Sequence, residues 1–172
     1  EINSCVGTEL LREVHPSNST NVSKTLIESQ INQIIRNSYW FMGYTQFANH
    51  IASKVGIDDL AKFNVKKTPG EALEKIRKRI NEAFRYTLIV IDEAHNLRSS
   101  KSDLKSKLVK KALHLVLSNV THTKVLLLSA TPMYNTPNEI VGLINILRRN
   151  DKRAIILASD IFDANGDLLV MK

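Results

Sequence analysis

Leu88-Ile89-Val90-Ile91-Asp92-Glu93-Ala94-His95 is the stretch that decides how this chain folds. Four apolar residues in a row, three of them β-branched and preceded by Thr87, suit a central strand of a parallel sheet covered on both sides. Two acids at the end of such a strand lie at the carboxyl edge of the sheet, where open α/β folds bind their ligands. An Asp there can hold Mg²⁺ through water, and the adjacent Glu can orient and deprotonate an attacking water. The plain alternative is an acidic pair that only closes a strand.

Outward from this stretch, helical and strand patterns alternate. Upstream, Thr68-Pro-Gly-Glu71 has capping-box spacing with Pro at the first helical position. It introduces Leu73, Ile76, Ile80 and Phe84 on one face, while Lys75, Arg77, Lys78 and Arg79 occupy the solvated ones. Earlier still, Thr25-Leu-Ile-Glu28 offers a second box and a helix to about Asn37 with Ile27, Ile31, Ile34 and Ile35 aligned. The aromatic run Tyr39-Trp-Phe-Met-Gly43 suits a short buried strand, followed by a helix through Phe47, Ala48 and Ile51. Downstream, Leu104, Leu108, Val109, Ala112, Leu113 and Val116 predict an amphipathic helix, and Val125–Leu128 a second buried strand. Thr136-Pro-Asn-Glu139 is a third capping box before Ile140, Val141, Ile144 and Leu147. Such alternation argues for an α/β sandwich around a mainly parallel sheet.

The chain has 172 residues, 43% of them hydrophobic and 24% charged, which suffices for about one domain with a sizeable core. Lys and Arg exceed Asp and Glu by seven, so an anionic partner is compatible with the charge. Six Lys/Arg stand against one Asp between Arg98 and Lys111, without aromatic residues for base stacking. This run reads as a solvated segment rimming a helix or as a set of phosphate contacts. A single cysteine, Cys5, excludes an internal disulfide and a multi-thiolate zinc site, and fits a reducing compartment. No aliphatic stretch approaches the roughly 20 residues that span a bilayer. The opening Glu1-Ile-Asn-Ser4 carries no initiator Met and no signal-peptide pattern, so the chain reads as excised from a longer one.

Asp92-Glu93-Ala94-His95 resembles motif II of superfamily 2 helicases and translocases. Ser129-Ala130-Thr131, at the end of the second buried strand, resembles motif III. Asp92 through Arg98, and Leu127 through Val141, are most similar to the Swi/Snf-related branch, in particular the transcription-associated helicase-type ATPases of poxviruses and giant DNA viruses. Tyr39 through Asn49, which contains Gly43, Tyr44 and Thr45, resembles their strand and turn before motif Ib, Ile2-Asn-Ser-Cys5 resembles the stretch shortly after motif Ia, and the tail from Leu147 onward resembles those viral proteins.

The resemblance implies a partial RecA-like, three-layer α/β sandwich. Residues 1–153 would be the later part of the first helicase lobe, and residues 154–172 a tail toward a second lobe. It implies ATP and Mg²⁺ as cofactors, with Asp92 the metal residue through water and Glu93 the catalytic base. His95, Ser129, Ala130 and Thr131 would couple the nucleotide site to nucleic acid, DNA favoured over RNA. Gly43, Tyr44 and Thr45 would touch the nucleic-acid backbone, although a strand-capping turn explains them equally. A second helicase lobe and viral transcription machinery would be partners, no membrane would be involved, and the setting would be intracellular, in a virion or host cytoplasm. None of the six glycines is followed by Lys, so this sequence contains no Gly-x-x-x-x-Gly-Lys-Ser/Thr phosphate loop. By itself the chain is therefore expected to be inactive. The alternative from another class is a helicase-like lobe that binds or scaffolds without catalysis.

Overall fold

Helix α1 spans Lys24–Ser38, and its half-buried face is the predicted row Ile27, Ile31, Ile34 and Ile35. Its cap is Ser23, whose hydroxyl accepts from the Leu26 amide at 3.3 Å, and not Thr25. The computed structural model describes residues 23–97, 104–133, 136–163 and 165–169. Expectations for Ile2–Cys5 and for residues 98–103 of the basic run lie outside these. The chain divides into two compact units, Glu1–Phe41 and Met42–Lys172. In the first, α1 ends at an extended Tyr39 whose ring stacks on Phe41 at 6.1 Å. The strand predicted over Tyr39–Gly43 does not form. Aromatic propensity suits a pleated surface, but a strand also needs a ladder partner, and none of the described residues supplies one here.

The second unit holds the α/β core. Its elements are α2 (Tyr44–Val55), α3 (Gly70–Phe84), β1 (Leu88–Ile91), α4 (Leu104–Asn119), β2 (Lys124–Leu127) and α5 (Glu139–Asn150). Short 3-10 turns occupy Val65–Lys67, Ala94–Leu97 and Ala158–Asp160. Strands β1 and β2 pair in parallel, Leu88 opposite Lys124 and Ile91 opposite Leu127. The ladder runs past both ends, from Lys124 N–H to Thr87 O and from Leu128 N–H to Ile91 O.

The expectation that the strands are covered on both sides needs correction. Ile89, Ile91, Val125 and Leu127 pack against the core, whereas Leu88 and Val90 remain 60% and 51% exposed, with Leu126 and Leu128 also open on that side. Among the described residues, helices cover one face only.

Helix α4 is the hub, packing against α2, α3 and α5. Leu113, Val116 and Leu117 on it are fully buried, together with Ile51, Val55, Ile80, Leu97 and Ile146 from around it. Burying a side chain of that size contributes roughly 1.5–3 kcal/mol each. Helix α2 stops at Gly56, whose φ of +72° favours glycine, and a Cβ there would meet the Arg79 guanidinium at 2.6 Å. The other two predicted capping boxes do not close. Thr68 donates its hydroxyl to Asn64 O, so α3 begins at Gly70 behind Pro69. Helix α5 begins behind Asn138 with no side-chain cap.

Both strands are entered through residues in the left-handed region, Tyr86 (φ 60°) and His122 (φ 56°). Their rings stack at 5.2 Å, an aromatic contact that offsets part of the backbone cost. Thr123 donates to Phe84 O at 2.6 Å, and Thr121 binds Asn81 through both its amide and its hydroxyl, which ties the end of α3 to the start of β2. After α5, the Asn145 side chain clamps Ile156 by a reciprocal pair of 2.8 Å hydrogen bonds.

Cations gather on the last turns of α4, where helix carbonyls carry partial negative charge. Lys152 donates to Leu117 O, and Arg149 donates to Ser118 Oγ at 3.0 Å. His114 lies in this seam, and burial first, then Arg149 and Lys110, push its pKa down to about 4. The imidazole is therefore neutral in the folded state. Its stabilising contribution is complete above the unfolded value of 6.5 and is lost as pH falls from there toward 4. The ceiling is about 3 kcal/mol, reduced by the solvent that reaches the ring. Urea unfolding at pH 7 and pH 4.5 should show a smaller loss for His114→Gln than for the parent chain, and NMR should show His114 titrating near 4. Titration near 6.5 would contradict this packing.

Candidate functional site

The carboxyl ends of β1 and β2 carry the residues that the sequence singled out. β1 stops at Ile91, and Asp92 and Glu93 turn the chain into the 3-10 segment Ala94–Leu97. The turn is tight: Asp92 Oδ1 accepts the Glu93 amide at 2.8 Å, and Glu93 adopts φ 50°, unusual for a residue with a Cβ. Directly after it, Ala94 N–H donates to Leu128 O at 2.8 Å, which joins the turn to the end of β2. Ala94 and Leu97 are buried, so the turn rests on the core while Asp92 and Glu93 stay exposed.

Side chains continue that connection. His95 Nδ1 lies 3.0 Å from Glu93 Oε2 and 3.3 Å from Ser129 Oγ. Because a carboxylate only accepts, Nδ1 carries the proton in this arrangement. Ser129 Oγ in turn accepts the Thr131 amide at 3.3 Å. The structure thus brings Asp92, Glu93, His95, Ser129 and Thr131 together as one network, with Ala130 exposed between the two hydroxyl residues.

Among the described residues, the hydrogen bond to the Asp92 carboxylate is at Oδ1, which leaves Oδ2 to meet a cation. Among the described residues, no cluster of three or more His, Cys, Asp or Glu could hold a metal ion. A cation at Asp92 would depend on ligands supplied by water and by a bound phosphate, the usual manner in which Mg²⁺ is held beside a nucleotide.

Gly43, Tyr44 and Thr45 form the start of α2. The Gly43 amide donates to Gln46 Oε1 at 2.9 Å, and Gly43 and Thr45 are exposed. The Tyr44 phenol points inward: its hydroxyl donates to Asp92 O at 2.6 Å and Glu93 O at 3.0 Å. Burial first, then the charges of Asp92 and Glu93, raise its pKa, so it remains protonated. Sequence reasoning missed this bond, which links residues 48 positions apart with no spacing signal to announce it.

The sequence profile of the SNF2-related domain matches residues 20–155. The chain belongs to the SNF2-related domain family. Its fold is accordingly RecA-like, in agreement with the parallel strands whose carboxyl ends carry the acids. This SNF2-related chain is 31% identical over 132 residues to a provisionally named ATP-dependent RNA helicase of Acanthamoeba polyphaga mimivirus, covering 73% of the chain and 11% of that relative. It is 28% identical over 140 residues to a provisionally named helicase of Frog virus 3, covering 81% of the chain and 12% of the relative. Against nucleoside triphosphatase I of Heliothis armigera entomopoxvirus it is 36% identical over 91 residues, 49% of the chain and 13% of the relative. The chain spans about a tenth of the length of these relatives. No solved structure matches it.

Ser129→Ala removes the acceptor of the Thr131 amide and one partner of His95. It should lower stability by about 1 kcal/mol in denaturant unfolding and shift the His95 ring nitrogen resonances. Unchanged His95 resonances would show that the two side chains do not meet in solution.

Proposed function

We propose that this chain is the motif II and motif III portion of an ATP-dependent nucleic-acid helicase or translocase. In this reading, residues 1–153 form the later part of its first lobe and residues 154–172 lead toward a second. The observation that carries the reading is the unbroken path from Glu93 through His95 to Ser129 and Thr131, built at the carboxyl edge of two parallel strands.

Mg²⁺-ATP, when bound, supplies the phosphoryl group and neutralises its developing charge. Asp92 would hold that ion through water at Oδ2, since Oδ1 is engaged by the Glu93 amide. Glu93 would take the proton of the water that attacks the γ-phosphorus as the bond to the ADP oxygen breaks. His95 donates to Glu93 Oε2 and so leaves Oε1 for that water. Ser129 and Thr131 would carry the state of this carboxylate toward nucleic acid. Gly43 and Thr45 would meet the phosphate backbone at the N-terminal end of α2, where the helix dipole favours an anion.

DNA is favoured over RNA as the track. A second lobe would be a partner, viral transcription machinery would be another, and for a viral protein the setting would be a virion or host cytoplasm. The likeness to viral proteins named as helicases and as a nucleoside triphosphatase supports it.

In the full-length protein, Glu93→Gln should retain ATP binding while slowing single-turnover hydrolysis by roughly 10²–10⁴-fold. A fall of less than about threefold would remove Glu93 as the base. Combined Ser129→Ala and Thr131→Ala substitution should leave most ATPase activity while translocation drops at least tenfold. A parallel loss of both activities, tracking the folded fraction, would make the two hydroxyls structural.

A further inference from the structure

We propose that the Tyr44 hydroxyl is the positioning group for Glu93, so that the anchored start of α2 sets the orientation of the Glu93 carboxylate. This rests on the reading of Glu93 as the catalytic base. The carbonyls of Asp92 and Glu93 belong to the two peptide groups on either side of the Glu93 Cα. Both converge on one phenol oxygen, at 2.6 Å and 3.0 Å. A single donor that grips both peptide groups restrains φ and ψ of the residue between them, and that residue sits at φ 50°. A left-handed conformation is unfavourable for an L-residue, a cost that this shared hydrogen bond can largely offset. Without the hydroxyl, Glu93 is free to relax to ordinary backbone angles, which would carry its carboxylate away from His95 Nδ1.

The other end of the link is equally defined. Tyr44 is the first residue of α2, and the helix is anchored through buried Ala48, Ile51 and Val55. Gly43 and Thr45 flank it and face solvent. A shift of this helix end therefore moves the hydroxyl that holds the turn. The route reaches Glu93 from the α2 side through its backbone. The His95–Ser129 route reaches it from the β2 side through its carboxylate. Sequence motifs announce only the second.

Tyr44→Phe deletes one oxygen and keeps the ring, so the fold is preserved. In the full-length protein at saturating nucleic acid, kcat for ATP hydrolysis should fall by about 10- to 100-fold, the scale of an ångström-level misplacement. KM for ATP and Kd for nucleic acid should stay within about twofold. A kcat within twofold of the parent would overturn the proposal. So would a weakened nucleic-acid Kd with kcat restored at saturation, which would make Tyr44 a phosphate contact instead. In the 172-residue chain, NMR should show the Glu93 backbone carbon shifts leaving the left-handed range in Tyr44→Phe while those of α4 stay unchanged. Glu93 shifts that do not move would also overturn it. Glu93→Gln in the same assays keeps two failures apart: full activity there removes the general-base reading itself, whereas loss there with none in Tyr44→Phe removes only the positioning role.

Discussion

The parallel pairing of β1 with β2, carried one bond beyond the strands from Ala94 N–H to Leu128 O, is the constraint on which the rest of the site depends. It lays two sequence-distant segments side by side at their carboxyl ends, with Asp92-Glu93 on one and Ser129-Ala130-Thr131 on the other. Because side chains alternate along a strand, a slip of one residue would turn Ile89, Ile91, Val125 and Leu127 away from the core. The same slip would move Ser129 out of reach of His95. Register, burial and site geometry are therefore a single choice.

That choice is enforced from the helical side. α4 joins the two strands in sequence and packs against α2, α3 and α5 in space, so its buried leucines and valines fix where β2 can begin. Thr121 and Thr123 bind the end of α3 just before β2, and Tyr86 stacks on His122 at the entrance of both strands. The opposite face, with Leu88, Val90, Leu126 and Leu128 open, stands in contrast to this dense side. Parallel sheets are ordinarily clad on both faces, and this apolar surface has the composition of one that meets further structure.

One of the left-handed residues lies where the chemistry is proposed. Glu93 carries a left-handed backbone, and every group around it contributes a hydrogen bond that keeps it there: Asp92 Oδ1, the Tyr44 hydroxyl and the His95 ring. A residue whose backbone is held by two neighbours and whose carboxylate is held by a third loses little freedom when it must act, the usual advantage of a preorganised site. The same arrangement makes the turn responsive, since motion of α2 or β2 changes one of its supports.

How much of this was legible depended on the range of the interaction concerned. Local periodicity located α1, α2, α3, α4 and α5 and both strands, because amphipathic spacing reports which face must be buried whatever it is buried against. Capping was less legible. Thr25, Thr68 and Thr136 have the right residues at the right spacing, yet Ser23, Pro69 and Asn138 hold the cap positions. For Thr68 the hydroxyl instead closes the preceding 3-10 turn onto Asn64 O, four residues back. The aromatic run at Tyr39–Gly43 had strand propensity without a strand partner, and pairing is decided by the whole fold. The sequence by itself determined the α/β character, the identity of the acidic pair and the hydroxyl triplet, and their place at strand ends. Only the tertiary structure decided that His95 bridges Glu93 to Ser129, that one sheet face stays open, and that Tyr44 turns its hydroxyl onto the Glu93 peptide groups. Those contacts join residues far apart along the chain, whose proximity follows from the packing of α2 and α4 against the sheet and from no local pattern.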